Sequence, residues 1–169
     1  MQPQGAPNAN NTSHDQMDTI YGISVGAGAC VTTDSNGEIL RNELGGHTSA
    51  SFVAFTPEGR SLGEAAVSGL SANAKGTATQ VGRLAVLDYA TLTSGDGERT
   101  SRHWQFAHGA GSDGRLQMRD VAVTGGETKT VDAVALLGAL LVREPMMRVG
   151  PRQMTCVYLP KWGKETGVL

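Results

Sequence analysis

The stretch with the most chemical potential is Gly22-Ile-Ser-Val-Gly26-Ala-Gly28, set between two short apolar runs. Glycine in such a turn lets backbone N–H groups come close to a phosphate, so Gly26, Ala27, Gly28 and Ala29 are the candidate phosphate-binding residues. A plain tight turn between strands uses the same residue types and is the bland alternative. A dinucleotide fingerprint needs a third glycine and then a helix; Val31 stands at that position and a strand-like run follows, so that reading fails. A P-loop fails as well, because no Gly-Lys-Ser/Thr follows the glycines.

Other candidate constellations are weaker. His47, His103 and His108 with Asp113 do not make a metal set: the spacing His103-x4-His108 is not that of a zinc pair, and neither Cys30 nor Cys156 is near in sequence. Trp104 and Phe106 read as a packing anchor rather than a base-stacking platform, since no basic run accompanies them. Arg143, Arg148, Arg152, Lys161 and Lys164 make the end of the chain locally basic. That pattern suits a ribosomal RNA contact, or more commonly a solvated surface beside a buried helix.

The elements that must hold these residues belong to one domain, because 169 residues suffice for one ordinary core and not comfortably for two. Apolar residues are 39% and charged residues 18%, which describes a globular chain rather than a disordered one. With 14 basic and 16 acidic residues and a formal net charge of -2, no electrostatic footprint for DNA or an anionic membrane is present. Residues 1–18 are polar and aperiodic and read as a disordered tail. They contain neither a basic n-region nor an apolar h-region, so a cytoplasmic location is expected, with Cys30 and Cys156 as buried free thiols.

From residue 19 onward the pattern predicts a β-meander: strands over Thr19–Ser24, Ala29–Thr33 and Glu38–Arg41, the last two joined by the turn Asp34-Ser-Asn-Gly37. Another strand is expected over Phe52–Phe55, with a turn at Pro57-Glu-Gly59. Ser61 and Glu64 have capping-box spacing and predict a helix over about Leu62–Ala72, with an apolar stripe of Leu62, Ala65, Ala66 and Leu70. Val81–Tyr89 is helix-like, Ser94-Gly-Asp-Gly97 is turn-like, and Val121-Ala-Val123 before Gly125-Gly126 suggests a hairpin. Asp132 is placed to cap a helix over Ala133–Glu144 that Pro145 ends. Ten uninterrupted apolar or glycine residues from Ala133 to Val142 are too few to span a bilayer and point to a helix buried on most sides. Met154–Leu159 reads as a buried strand.

The order of these features resembles the nucleotide-binding domain of the seventy-kilodalton heat-shock chaperones, the DnaK family. Strand, glycine turn and strand are followed by Asn42-Glu-Leu-Gly-Gly-His-Thr-Ser-Ala-Ser-Phe-Val-Ala-Phe-Thr56, the most specific match. The likeness continues through Leu62-Gly-Glu-Ala-Ala66, Gln80-Val-Gly-Arg-Leu84, Arg102-His-Trp-Gln-Phe106 and Gly126-Glu-Thr-Lys-Thr130, and ends at Cys156-Val-Tyr-Leu-Pro160. It implies an α/β, actin-like and ribonuclease-H-like ATPase lobe: the first lobe of that domain, incomplete, over residues 19–169. In the family the nucleotide lies between two lobes and a peptide-binding domain follows, so the resemblance implies a fragment or truncated product. It also implies ATP or ADP with magnesium as cofactor, and unfolded or nascent polypeptide as client of the missing C-terminal domain.

Departures from the family pattern bear on mechanism. Where the family places an Asp that helps hold hydrated magnesium, this chain has the neutral Ser24, and magnesium prefers carboxylate or phosphate oxygens. Two family threonines that meet phosphate correspond to Ala27 and Gly28, in a loop one residue shorter before Cys30. The family's catalytic Lys corresponds to Gly82, ahead of Arg83-Leu84, which removes a charge aimed at the transferring phosphoryl group. The resemblance thus implies no catalytic residue of its own and weak or absent hydrolysis, as in the atypical ribosome-associated members that pair with a J-protein. A non-enzymatic scaffold binding a J-protein or the ribosome is the competing reading, and a decayed paralogue would show the same losses. If the loop still cradles phosphate, Ser24→Asp with Gly82→Lys in a full-length context is expected to raise magnesium-dependent ATP turnover, measured by phosphate release.

Overall fold

The computed structural model describes residues 22–123 and 125–149. The expected tail, residues 19–21 of the first strand, Cys156 and the strand Met154–Leu159 lie outside the described residues.

Strands β1 (Gly22–Val25) and β2 (Ala29–Thr33) form an antiparallel hairpin with Val25 opposite Cys30. Alternation puts Ile23, Val25, Cys30 and Thr32 into the core and leaves Gly22, Ser24, Val31 and Thr33 on the other face. The expected third strand over Glu38–Arg41 does not form; it is reduced to one bridge, Thr33 to Ile39. Side-chain hydrogen bonds win there. Asp34 Oδ1 accepts from the N–H groups of Asn36 and Glu38, and Asn42 Oδ1 accepts from those of Leu44 and Gly46. Such local bonds compete with a ladder, and Ile39, 51% exposed, has no burial to gain from one. The third strand of the sheet is instead β3 (Ser49–Ala50), which pairs with β2.

A second sheet holds β4 (Val53–Thr56) between β5 (Gly59–Leu62) and β6 (Thr77–Ala78). Gly59 and Ser61 are therefore strand residues, opposite Thr56 and Ala54. The capping box does not form: helix α1 spans only Glu64–Ser68, its N-cap is Gly63 and no side chain caps it. Glu64 instead uses its carboxylate to accept from the Ala50 N–H at 2.9 Å, tying α1 to the first sheet. Of the expected stripe, Leu62 is buried in β5 and Ala66 in α1, while Ala65 is exposed.

The helix expected over Val81–Tyr89 divides into α2 (Val81–Leu84) and α3 (Tyr89–Leu92). Asp88 causes the break. Its extended backbone makes it the N-cap of α3, where its side chain accepts from the Thr91 N–H, and it bridges to Arg115. Helix α4 (Asp96–Ser101) then takes up part of the stretch that reads as a turn. Strands β7 (His108–Ala110), β8 (Leu116–Ala122) and β9 (Thr128–Asp132) make a third antiparallel sheet, so the hairpin expected around Gly125-Gly126 is present and longer than its sequence signal. Both glycines have left-handed φ, 95° and 79°.

Helix α5 spans Ala133–Val149, with the Asp132 carboxylate accepting from the Val134 N–H at 2.8 Å. It runs past Pro145 instead of stopping there; proline's fixed φ is helical, and its costs are one lost hydrogen bond and crowding of the preceding turn. Nor is the helix buried on most sides. Ala133, Leu136, Leu137 and Leu140 face the core, whereas Val134 and Val142 are 43% and 46% exposed. The core joins this face to Ile23 and Val25 of β1, Val53 of β4, Val81 and Leu84 of α2, and Leu116, Met118 and Val121 of β8. The whole is a mixed α/β arrangement. Among the described residues no helix is long and apolar enough to cross a membrane.

Burial decides the expected cost of substitution along α5. Leu136→Ala should lose about 2–5 kcal/mol of unfolding free energy in urea titration, whereas Val134→Ala on the open face should change it by less than about 0.5 kcal/mol.

Candidate phosphate-facing turn

The turn between β1 and β2 closes with the Gly26 N–H donating to the Ala29 carbonyl at 2.8 Å. That bond consumes one of the four candidate amides; Ala29 opens β2 opposite Ala50, whose own N–H goes to Glu64. The N–H groups of Ala27 and Gly28 donate to no backbone acceptor among the described residues, and Gly28 is exposed. The anion-binding capacity of the turn thus rests on the amides after Gly26, with Ala27 and Gly28 adjacent and outside any strand. Neither Gly26 nor Gly28 has a left-handed φ. A Cβ at Gly26 would lie 3.2 Å from the Ala29 oxygen, while one at Gly28 would meet nothing within 4 Å.

Behind the turn stands Ser51, which the sequence reading passed over although it lies within the most specific matching word. Its side chain is fully buried, and three hydrogen bonds meet at this residue. The Ser51 N–H donates to the Gly28 carbonyl at 2.9 Å, the Ser51 carbonyl accepts from the Val81 N–H at 3.0 Å, and Oγ accepts from the Gly82 N–H at 3.1 Å. A short polar side chain just before an apolar strand is the signal that was available, but its partners lie 23, 30 and 31 residues away.

Gly82 is buried where α2 meets the turn. A Cβ there would lie 2.5 Å from the Gly26 carbonyl oxygen and 2.7 Å from Val25 Cγ1. The first of these is backbone and cannot step aside cheaply, so the geometry opposes Gly82→Lys as a simple restoration. Gln80, immediately before α2, holds a left-handed φ of 57°, and its buried Oε1 has no hydrogen-bond partner among the described residues.

Ser24 sits in mid-β1 opposite Val31, exposed, on the face turned away from the core. Gly22-Ile-Ser-Val-Gly26 also spells Gly-x-Ser-x-Gly, the nucleophile-elbow pattern, so the expectation that the sequence contains no such pattern is wrong. An elbow puts its serine on a turn between strand and helix; Ser24 is within a strand and the next element is a strand, so the pattern carries no nucleophile. Among the described residues no group of three or more His, Cys, Asp and Glu is placed to hold a metal.

The histidine singled out with Asp113 has another role. His108 packs in an aromatic cluster, with ring centroids 6.2 Å from Tyr89, 5.7 Å from Trp104 and 5.9 Å from Phe106. Trp104 and Phe106 stack at 5.4 Å, and Phe106 is buried, as a packing anchor should be. Burial pushes the His108 imidazole below its ordinary value, since the charged form loses hydration.

With the fold and the turn defined, comparison with known proteins places the chain. A family model described as Hsp70 protein matches residues 20–141. The chain belongs to the Hsp70 family. It is similar to a ribosome-associated molecular chaperone of Nakaseomyces delphensis, 45% identical over 65 residues that cover 37% of this chain and 11% of the relative. A ribosome-associated molecular chaperone of Saccharomyces cerevisiae is 43% identical over a stretch of the same length and coverage. The matched stretch is thus a small part of either relative.

Two outcomes follow from this geometry. Gly82→Ala should destabilise the chain by about 1–3 kcal/mol in urea unfolding, while Gly28→Ala should be close to neutral. For His108 the folded state binds its proton less readily than the unfolded chain. Its contribution is therefore complete above the ordinary histidine range and is lost progressively as pH falls below it. His108→Gln should flatten that part of a profile of melting temperature against pH.

Proposed function

We propose that this chain is part of the ATP-binding domain of an Hsp70-type molecular chaperone, with residues 19–169 as an incomplete first lobe of actin-like type and residues 1–18 as a tail. The observation that carries the reading is the family match over residues 20–141, which includes the β1–turn–β2 hairpin. The open amides of Ala27 and Gly28 support it, because adjacent backbone N–H groups suit a phosphate oxygen.

The residues present fit a phosphate better than they fit its metal. Ser24 offers a neutral hydroxyl where a carboxylate would attract hydrated magnesium. Position 82 has no side chain to place a cation, and its N–H is already bound to Ser51. When bound, a nucleotide would supply the anionic groups, and the turn would hold them through backbone N–H groups, Ala27 and Gly28 first. Electrostatic stabilisation of phosphoryl transfer is then missing, so the proposed activity is binding with weak or absent hydrolysis. Nascent or unfolded polypeptide, handled elsewhere in a whole chaperone, is the proposed client, and the cytoplasm the proposed location.

A second reading has a specific observation in its favour. The closed packing of Gly82 against the turn is that of a structural joint, which suits a non-enzymatic scaffold for a J-protein or for the ribosome; the relatives' names, ribosome-associated molecular chaperones, make the ribosome the first partner to try.

Titrating the 169-residue chain with ADP and ATP, with and without magnesium, separates the two. The nucleotide reading expects amide shifts in NMR spectra at Ala27 and Gly28 that depend little on magnesium, and phosphate release at the background rate. No shift at millimolar nucleotide would sink it and leave the scaffold.

A further inference from the structure

We propose that Ser51 is a positioning residue for the Gly26–Ala29 turn, and that it works with Gly82 to set the direction in which the Ala27 and Gly28 amides point. The inference rests on the phosphate reading for its consequence, but its structural basis is independent of nucleotide.

Three observations converge on it. The turn has little to hold it from within: one bond, Gly26 N–H to Ala29 carbonyl, and two glycines in four residues. From outside, Gly28 is held by its carbonyl, which accepts the Ser51 N–H at 2.9 Å. The Gly28 carbonyl shares its peptide plane with the Ala29 N–H, so the Ser51 bond fixes that plane and, across the Gly28 Cα, limits how far the preceding Gly28 and Ala27 amides swing.

Ser51 is in turn fixed by α2. Its carbonyl takes the Val81 N–H and its Oγ takes the Gly82 N–H, with the whole side chain buried. The third contact comes from Gly82 itself, whose missing side chain lets α2 close on the turn until a Cβ would stand 2.5 Å from the Gly26 oxygen. Two residues of the turn, Gly26 and Gly28, are therefore backed by one joint. Any side chain at position 82 pushes on Gly26, and any loss of the Ser51 hydroxyl frees an amide that has no other acceptor.

The test uses the 169-residue chain and reads the turn directly. Amide shifts and hydrogen exchange are recorded for wild type, Ser51→Ala, Ser51→Cys, Ser51→Thr and Gly82→Ala, with Leu136→Val as a comparably destabilised control remote from the turn. Exchange at Gly82 in Ser51→Ala should accelerate about tenfold beyond the control, the size expected for one buried hydrogen bond. Gly26, Ala27 and Gly28 should shift in Ser51→Ala and Gly82→Ala, and not in the control. Ser51→Cys keeps the volume with a weaker acceptor and should fall between; Ser51→Thr restores the hydroxyl and should return the shifts towards wild type.

ADP is then titrated into each folded variant, and its affinity should fall about tenfold in Ser51→Ala and recover in Ser51→Thr. If the turn amides of both Ser51→Ala and Gly82→Ala match the control, the positioning role is overturned whatever ADP does. If they shift while wild type itself ignores ADP, the positioning role stands and the phosphate reading is what fails.

Discussion

Everything near the candidate site depends on one buried serine. Ser51 lies between β3 and β4, the strands that belong to different sheets, and its backbone and hydroxyl bind the β1–β2 turn on one side and the start of α2 on the other. A buried polar group is costly unless satisfied. Here its hydroxyl is used, and the same bonds fix how the first sheet, the second sheet and α2 meet. Glu64 adds a second tie by accepting from the Ala50 N–H, so the segment between the two sheets is held from both sides.

That joint explains why glycine at position 82 is more than a missing side chain. Reading the residue as a lost cation is a statement about charge; its surroundings make it a statement about space, because the Gly26 oxygen and Val25 already fill the direction a Cβ would take. The neutral Ser24, exposed on the far face of β1, is a different case, since it has room around it and only its charge is in question. Two substitutions that look alike in an alignment of words therefore have different physical content. One has been absorbed into packing and the other has not.

Much of the fold was legible where a local cause sufficed. The limits of β2, the Asp34–Gly37 turn, the glycine hairpin near Gly125 and the Asp132 cap of α5 all follow from residues within a few positions of one another. The misreadings share a different cause. Ser61 and Glu64 have capping-box spacing, yet β4 recruits Ser61 into a ladder and Ala50 recruits the Glu64 carboxylate. Ile39 belongs to a run with strand character, but the polar network of Asp34 and Asn42 gives the backbone other partners. In each case a bond to a distant segment, or a denser local network, outbid the pattern.

By itself the sequence determined the class of chain, the family likeness, the place of the glycine turn and the absence of the expected carboxylate and cation, because residue types and their order are properties of the chain. Only the tertiary structure decided that the Gly26 amide is used within the turn, that Ser51 holds the Gly28 carbonyl, that Gly82 is closed against Gly26, and that α5 buries one face only. The reason is physical: hydrogen bonding and close packing are made between residues far apart in the chain, such as Ser51 with Gly82, and no local pattern encodes which distant group will arrive.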